Sequence, residues 1–220
     1  MKLKYVITGT GRCGTLNAAH NFTRAGVPCG HESIFDYKGI DAAKKRLSGE
    51  TKICASEISL KNGYWFDPIL IQADSSYMST PFLGNELLED VSIVHLIRSP
   101  LEVISSFVKN LGYFETLNSP WEKFICLHAP SILNFETPIE RACEYYFQWN
   151  SMIAKHKTTL HKIEEDINIL FEKLGINRID QASEEKNIFG NRNDNFKVED
   201  IPTPLKHKIE SFLSEFNYEN

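Results

Sequence analysis

The 220 residues, 42% hydrophobic and 24% charged, suffice for one substantial core, and a single domain over 1–220 is expected. A net charge of −5 excludes broad nucleic-acid binding, which needs a basic surface, so any anion site has to be local. No stretch approaches the roughly 20 apolar residues of a membrane span, and the apolar run near Met1 is too short for a secretory signal. The five cysteines (Cys13, Cys29, Cys54, Cys126, Cys143) form no C-x-x-C pair and read as reduced thiols of a cytoplasmic protein.

Taken in chain order, Leu3–Thr8 reads as a first strand. The glycine-rich turn Thr8-Gly9-Thr10-Gly11-Arg12-Cys13-Gly14-Thr15 follows, and Thr15–Arg24 has a helical pattern. Residues 26–31 contain Pro28, Gly26 and Gly30 and make a poor strand. Strand-like runs recur at Lys52–Ala55, Ser92–Ile97 and Thr159–Ile163. Pro100 is a good helix start for Leu101–Leu111, and Gly175 a natural stop for Asp166–Leu174. The longest helix is expected at Ile139–His156, with Tyr145, Tyr146 and Trp149 at core spacing. Residues 184–195 are polar and read as a loop. Strands alternating with helices imply an α/β fold in three layers, P-loop-like, with a central, mostly parallel sheet flanked by helices. Ligands in such sheets bind beyond the carboxyl ends of the strands, where the glycine turn and Arg98-Ser99-Pro100 both fall.

A strand, a glycine turn and a helix start form a phosphate cradle, with backbone N–H groups and the helix dipole facing the anion. Arg12 adds a cation able to pair bidentately with it. Three ligands compete for such a loop. A Walker nucleotide loop needs Gly-Lys followed by Ser or Thr; here Thr15 and Leu16 follow Gly14, so an NTPase or kinase would have to use a degenerate loop. Gly9, Gly11 and Gly14 satisfy the dinucleotide pattern, with Glu32 near the distance of a ribose-binding acid, but the weak strand before Glu32 speaks against it.

The third reading comes from a resemblance. The segment Gly11-Arg12-Cys13-Gly14-Thr15-Leu16-Asn17 resembles the 5′-phosphosulfate loop of sulfotransferases, with Arg12 in place of the usual lysine and Cys13 in place of the usual serine. Val91 to Pro100 is similar to the family's 3′-phosphate strand and turn, and Ser106 follows Arg98 by the family's eight residues. Asp74-Ser75-Ser76 sits where bacterial members have a short acidic-serine turn, and Ile163 to Ile176 and Val198 to Tyr218 are similar to their later strand-turn-helix and closing helix. The stretch Gly30-His31-Glu32-Ser33-Ile34-Phe35 resembles the bacterial carbohydrate sulfotransferases, in which a glutamate between a glycine turn and a phenylalanine acts as base.

The resemblance implies 3′-phosphoadenosine 5′-phosphosulfate (PAPS) as co-substrate, no metal, and transfer of the sulfuryl group to a hydroxyl or amine of a small-molecule or carbohydrate acceptor. It implies that Gly11, Arg12, Cys13, Gly14, Thr15 and Leu16 hold the 5′-phosphate. Arg98 and Ser106 would take the 3′-phosphate, and Arg192 in the 184–195 loop would contact it too. Arg12 would stabilise charge on the leaving phosphate, its high pKa making it a poor acid. Glu32 is the expected base, with His31 the alternative, since a desolvated glutamate has its pKa raised toward neutrality. Tyr64, Trp65, Phe66, Tyr77, Tyr113, Phe114 and Trp121 fall in segments that members use for the acceptor. A nucleotide-binding module without turnover is the other outcome.

Overall fold

The computed structural model describes residues 2–53, 71–177 and 196–218. The chain divides into two compact units, one of residues 1–97 and 152–188, the other of 98–151 and 189–220.

The first unit is built on a five-stranded, wholly parallel sheet: β1 (Tyr5–Gly9), β2 (Cys29–His31), β3 (Ala73–Ser75), β4 (Ser92–Ile97) and β5 (Thr159–Lys162), in the order β2-β3-β1-β4-β5. Val6 to Gly9 and Val94 to Ile97 are buried without alternation, as expected of central parallel strands covered on both faces. On one face Ile7, Val94 and Leu96 pack against α1 (Thr15–Arg24) and α6 (Ile167–Leu174); Phe22 meets Phe171 edge-on at 5.3 Å. On the other face Val6, Ile34 and Phe35 pack with Ala43 and Leu47 of α2 (Ile40–Ser48). The helix α6 starts on the Asp166 side chain, which accepts from Asn168 N–H, and stops at Gly175 in a left-handed conformation, as the sequence implied.

Two expectations are corrected. Residues 29–31, read as too weak for a strand, form β2 at the sheet edge. Pro28 precedes the strand instead of interrupting it, and its carbonyl accepts from Gln72 and Ala73 N–H. Of the strand-like run at Lys52–Ala55, Lys52 and Ile53 lie in no strand and 54–55 fall outside the described residues, while Ala73–Ser75, not read as a strand in the sequence, pairs with β1. β3 escapes hydropathy because two of its three residues are polar and fully buried, each satisfied by specific bonds.

The second unit holds α3 (Pro100–Ser105), continued by a π-helical turn over Ser106–Asn110, then α4 (Pro120–His128), the body of α5 (Pro138–Ala154) and α7 (Thr203–Glu215). Tyr145, Tyr146 and Trp149 are core residues, at most 1% exposed. Among the described residues no helix is long and apolar enough to cross a membrane, and the four described cysteines are free thiols.

Candidate active site

The loop after β1 is shaped by close approaches. A Cβ on Gly9 would stand 2.4 Å from the Leu96 carbonyl oxygen and 2.5 Å from Cys13 Sγ, so only glycine lets the loop turn back over β4. Cys13 N–H closes a turn on the Thr10 carbonyl, at 3.3 Å. Arg12 (φ 69°) and Gly14 (φ 86°) are both left-handed. For arginine that conformation costs about 1 kcal/mol, a strain of the kind held at ligand sites. Gly14 precedes α1, whose N-terminus has no side-chain cap and no acidic residue in its first turn. Such an end presents backbone N–H groups and a partial positive charge to an anion.

Thr15 opens α1 and joins the loop to the candidate base. Its hydroxyl lies 3.2 Å from His31 Nε2, which in turn stands 3.8 Å from Glu32 Oε1. Burial, assisted by the charge of His20, lowers the His31 pKa to about 4, so the ring is neutral at pH 7 and its contact with Glu32 is not an ion pair. Burial, assisted by the charge of Asp36, raises the Glu32 pKa to about 7. The Glu32 side chain nevertheless keeps 33% of its surface, so a substrate can reach it. These are the two properties a general base at neutral pH requires.

The loop carrying Glu32 is held rigidly. Glu32 itself is left-handed (φ 53°) and donates its N–H to the Ser75 carbonyl at 3.2 Å. Arg46 pairs with Asp36 at 2.5 Å and donates to the Ile34 carbonyl at 2.6 Å, fixing the far side of the loop. Beneath it, fully buried Asp74 accepts from Ser33 N–H and Phe35 N–H, both at 3.0 Å. Burial raises the Asp74 pKa to about 7 against the opposing effect of those amide bonds.

In the second unit Arg98 donates from Nε to Glu102 Oε2 at 2.6 Å, one helical turn on, and its carbonyl accepts from the Tyr146 hydroxyl at 2.8 Å. Ser106 is buried and begins the π-helical turn, a local widening frequent at functional sites. Tyr113 and Trp121 are half-buried with centroids 4.3 Å apart. Phe114, expected among acceptor contacts, is instead fully buried in this aromatic cluster: Glu122 accepts its N–H and Arg141 donates to its carbonyl. Arg192, Tyr64, Trp65 and Phe66 lie outside the described residues.

The structure brings the glycine loop, His31 and Glu32 together; the triplet Asp74-Ser75-Ser76, noted in the sequence only as a short acidic-serine turn, proves to be buried beneath them. Sequence reasoning discounted dinucleotide binding for the wrong reason. The strand before Glu32 exists, but β3 lies between it and β1, whereas in the dinucleotide fold the second strand adjoins the first. No family model matches the chain and no curated protein sequence does. Among solved structures, it is similar to a sulfotransferase from Alicyclobacillus acidocaldarius, with a TM-score of 0.44 and 10% identity over 98% of this chain and 92% of that one.

Proposed function

We propose that the protein is a sulfotransferase that moves the sulfuryl group of PAPS to a hydroxyl or amine of a small-molecule or carbohydrate acceptor. The observation that carries this reading is the contiguity of Thr15, His31 and Glu32. It sets a carboxyl group titrating near pH 7 beside a phosphate-type loop. The two motif resemblances in the sequence supply the identity of the donor.

The residues present suit an adenosine bisphosphate. A helix N-terminus without a side-chain cap and a loop with left-handed residues at 12 and 14 are the backbone elements of an anion cradle. When bound, the donor supplies an activated sulfuryl group on a phosphate leaving group. The amides of residues 12–16 receive the 5′-phosphate, and Thr15 adds a hydroxyl donor. In the tautomer that carries the His31 proton on Nε2, the Thr15 oxygen accepts from the ring and its own proton is free for the phosphate. Arg12 holds a fixed positive charge where negative charge develops, an electrostatic role that needs no proton transfer. Glu32, once ionised, takes the proton from the acceptor hydroxyl, and the loop that holds it limits the motion that would misplace it. The resemblance in the sequence assigns the 3′-phosphate, which distinguishes this donor from ATP, to Arg98 and Ser106.

The test is a comparison of 3′-phosphoadenosine 5′-phosphate, ADP and NAD in thermal denaturation, followed by radiolabelled sulfuryl transfer to a panel of sugars, phenols and amines. A ligand that binds only the native state raises the melting temperature. A shift with the bisphosphate alone, together with label transfer, supports the proposal. Binding without transfer to any acceptor class would leave a nucleotide-binding module, and a preference for ADP with magnesium a kinase-like protein.

A further inference from the structure

We propose that Asp74, Ser75 and Ser76 are positioning residues that lock the base-carrying loop and the phosphate helix into one register. For its catalytic meaning this rests on the sulfuryl-transfer reading; the placement itself stands on hydrogen bonds. Successive side chains of a strand point to opposite faces of the sheet. At the end of β3 that alternation is used in full. Asp74 and Ser76 serve one face. The Asp74 carboxylate accepts from Ser33 and Phe35 N–H at 3.0 Å, and Ser76 Oγ donates to the Phe35 carbonyl at 2.8 Å. Ser75 serves the other, its hydroxyl donating to the Thr15 carbonyl at 2.7 Å, while its own carbonyl accepts Glu32 N–H at 3.2 Å.

One strand end therefore grips the first residue of α1, the amide of Glu32 itself and the backbone that follows it. All three residues are wholly buried, so water does not compete for these bonds. The grip is itself anchored: Ser76 N–H donates to the Ile7 carbonyl, and the Ser76 carbonyl accepts from the hydroxyls of Thr8 and Ser79 at 3.0 and 2.7 Å. The distance between the phosphate cradle and the base is then set by β1 and β3, paired inner strands of the sheet, and not by the loops that carry the chemistry. Placing reactive groups on rigid elements is what keeps them within the few tenths of an ångström that transfer demands.

The experiment is amide hydrogen exchange read by NMR on the full chain, for Asp74→Asn, Ser75→Ala and Ser76→Ala, with calorimetric binding of 3′-phosphoadenosine 5′-phosphate. The clamp requires separable signatures. Asp74→Asn and Ser76→Ala should speed exchange at residues 32–35 by roughly tenfold or more while the first turn of α1 and bisphosphate affinity stay within about twofold. Ser75→Ala should loosen the first turn of α1 and weaken the bisphosphate several-fold, leaving residues 33 and 35 protected. Uniform loss of protection across the unit, or no change in any variant, overturns the proposal, since a merely structural network would fail as a whole. Should Asp74→Asn not fold, Ser76→Ala carries the same arm. Failure of the wild type to bind the bisphosphate would reject the sulfotransferase reading, while the exchange pattern would still decide the clamp.

Discussion

The imidazole Nε2 of His31 lies 3.2 Å from the hydroxyl of Thr15, so the residue that ends β2 touches the residue that begins α1. This contact sets Glu32 beside the glycine loop, and the two candidate bases differ in proton affinity. His31, with a pKa near 4, is too weakly basic to gain a proton in the neutral range; Glu32, near 7, is poised for it.

The pH profile of transfer follows from that difference. With Glu32 as base, kcat should rise about tenfold per pH unit below 7 and level off above it. If His31 were the base the profile would be flat between pH 6 and 8. Glu32→Gln should lower kcat by about 10²–10⁴-fold with bisphosphate binding retained, checked by initial rates and calorimetry.

Folding stability should respond to the same carboxyl. Its pKa is higher folded than unfolded, so its contribution is complete below the unfolded pKa and is lost as pH rises through about 7. His31, shifted downward, acts in the opposite direction, its contribution being lost as pH falls through about 4. The difference between wild type and Glu32→Gln isolates the carboxyl: Glu32→Gln should gain stability relative to wild type between pH 5 and pH 8 in urea titrations.

Arg98→Ala should weaken 3′-phosphoadenosine 5′-phosphate by about 10- to 150-fold, the range of a hydrogen bond to a charged group. Binding of AMP, which lacks the 3′-phosphate, should change far less. Glu102→Gln removes the helical-turn partner of Arg98 and should shift stability by under about 1 kcal/mol, because the pair is partly solvated.

Gly9→Ala drives a methyl group into the Leu96 carbonyl and Cys13 Sγ. Backbone oxygen in a central strand cannot move aside. A loss of about 1–3 kcal/mol is expected, with weakened bisphosphate binding, measured by urea denaturation and calorimetry.

The sequence by itself determined the glycine turn after the first strand, the alternation of strands and helices, and the imidazole at 31 beside the acid at 32. Those are local signals: glycine spacing, apolar runs, and residue types whose chemistry does not depend on neighbours. β2 and β3 stayed hidden because three-residue strands carry too little periodicity, and their glycine and buried polar residues imitate a turn. Only the tertiary structure decided which carboxyl is raised, since burial and the nearness of Asp36 and His20 act through space. It alone placed β3 between β1 and β2, excluding the dinucleotide arrangement, and it alone revealed the bonds from Asp74, Ser75 and Ser76 to residues 15, 33 and 35. Hydrogen bonds between residues forty to sixty positions apart leave no trace in local pattern.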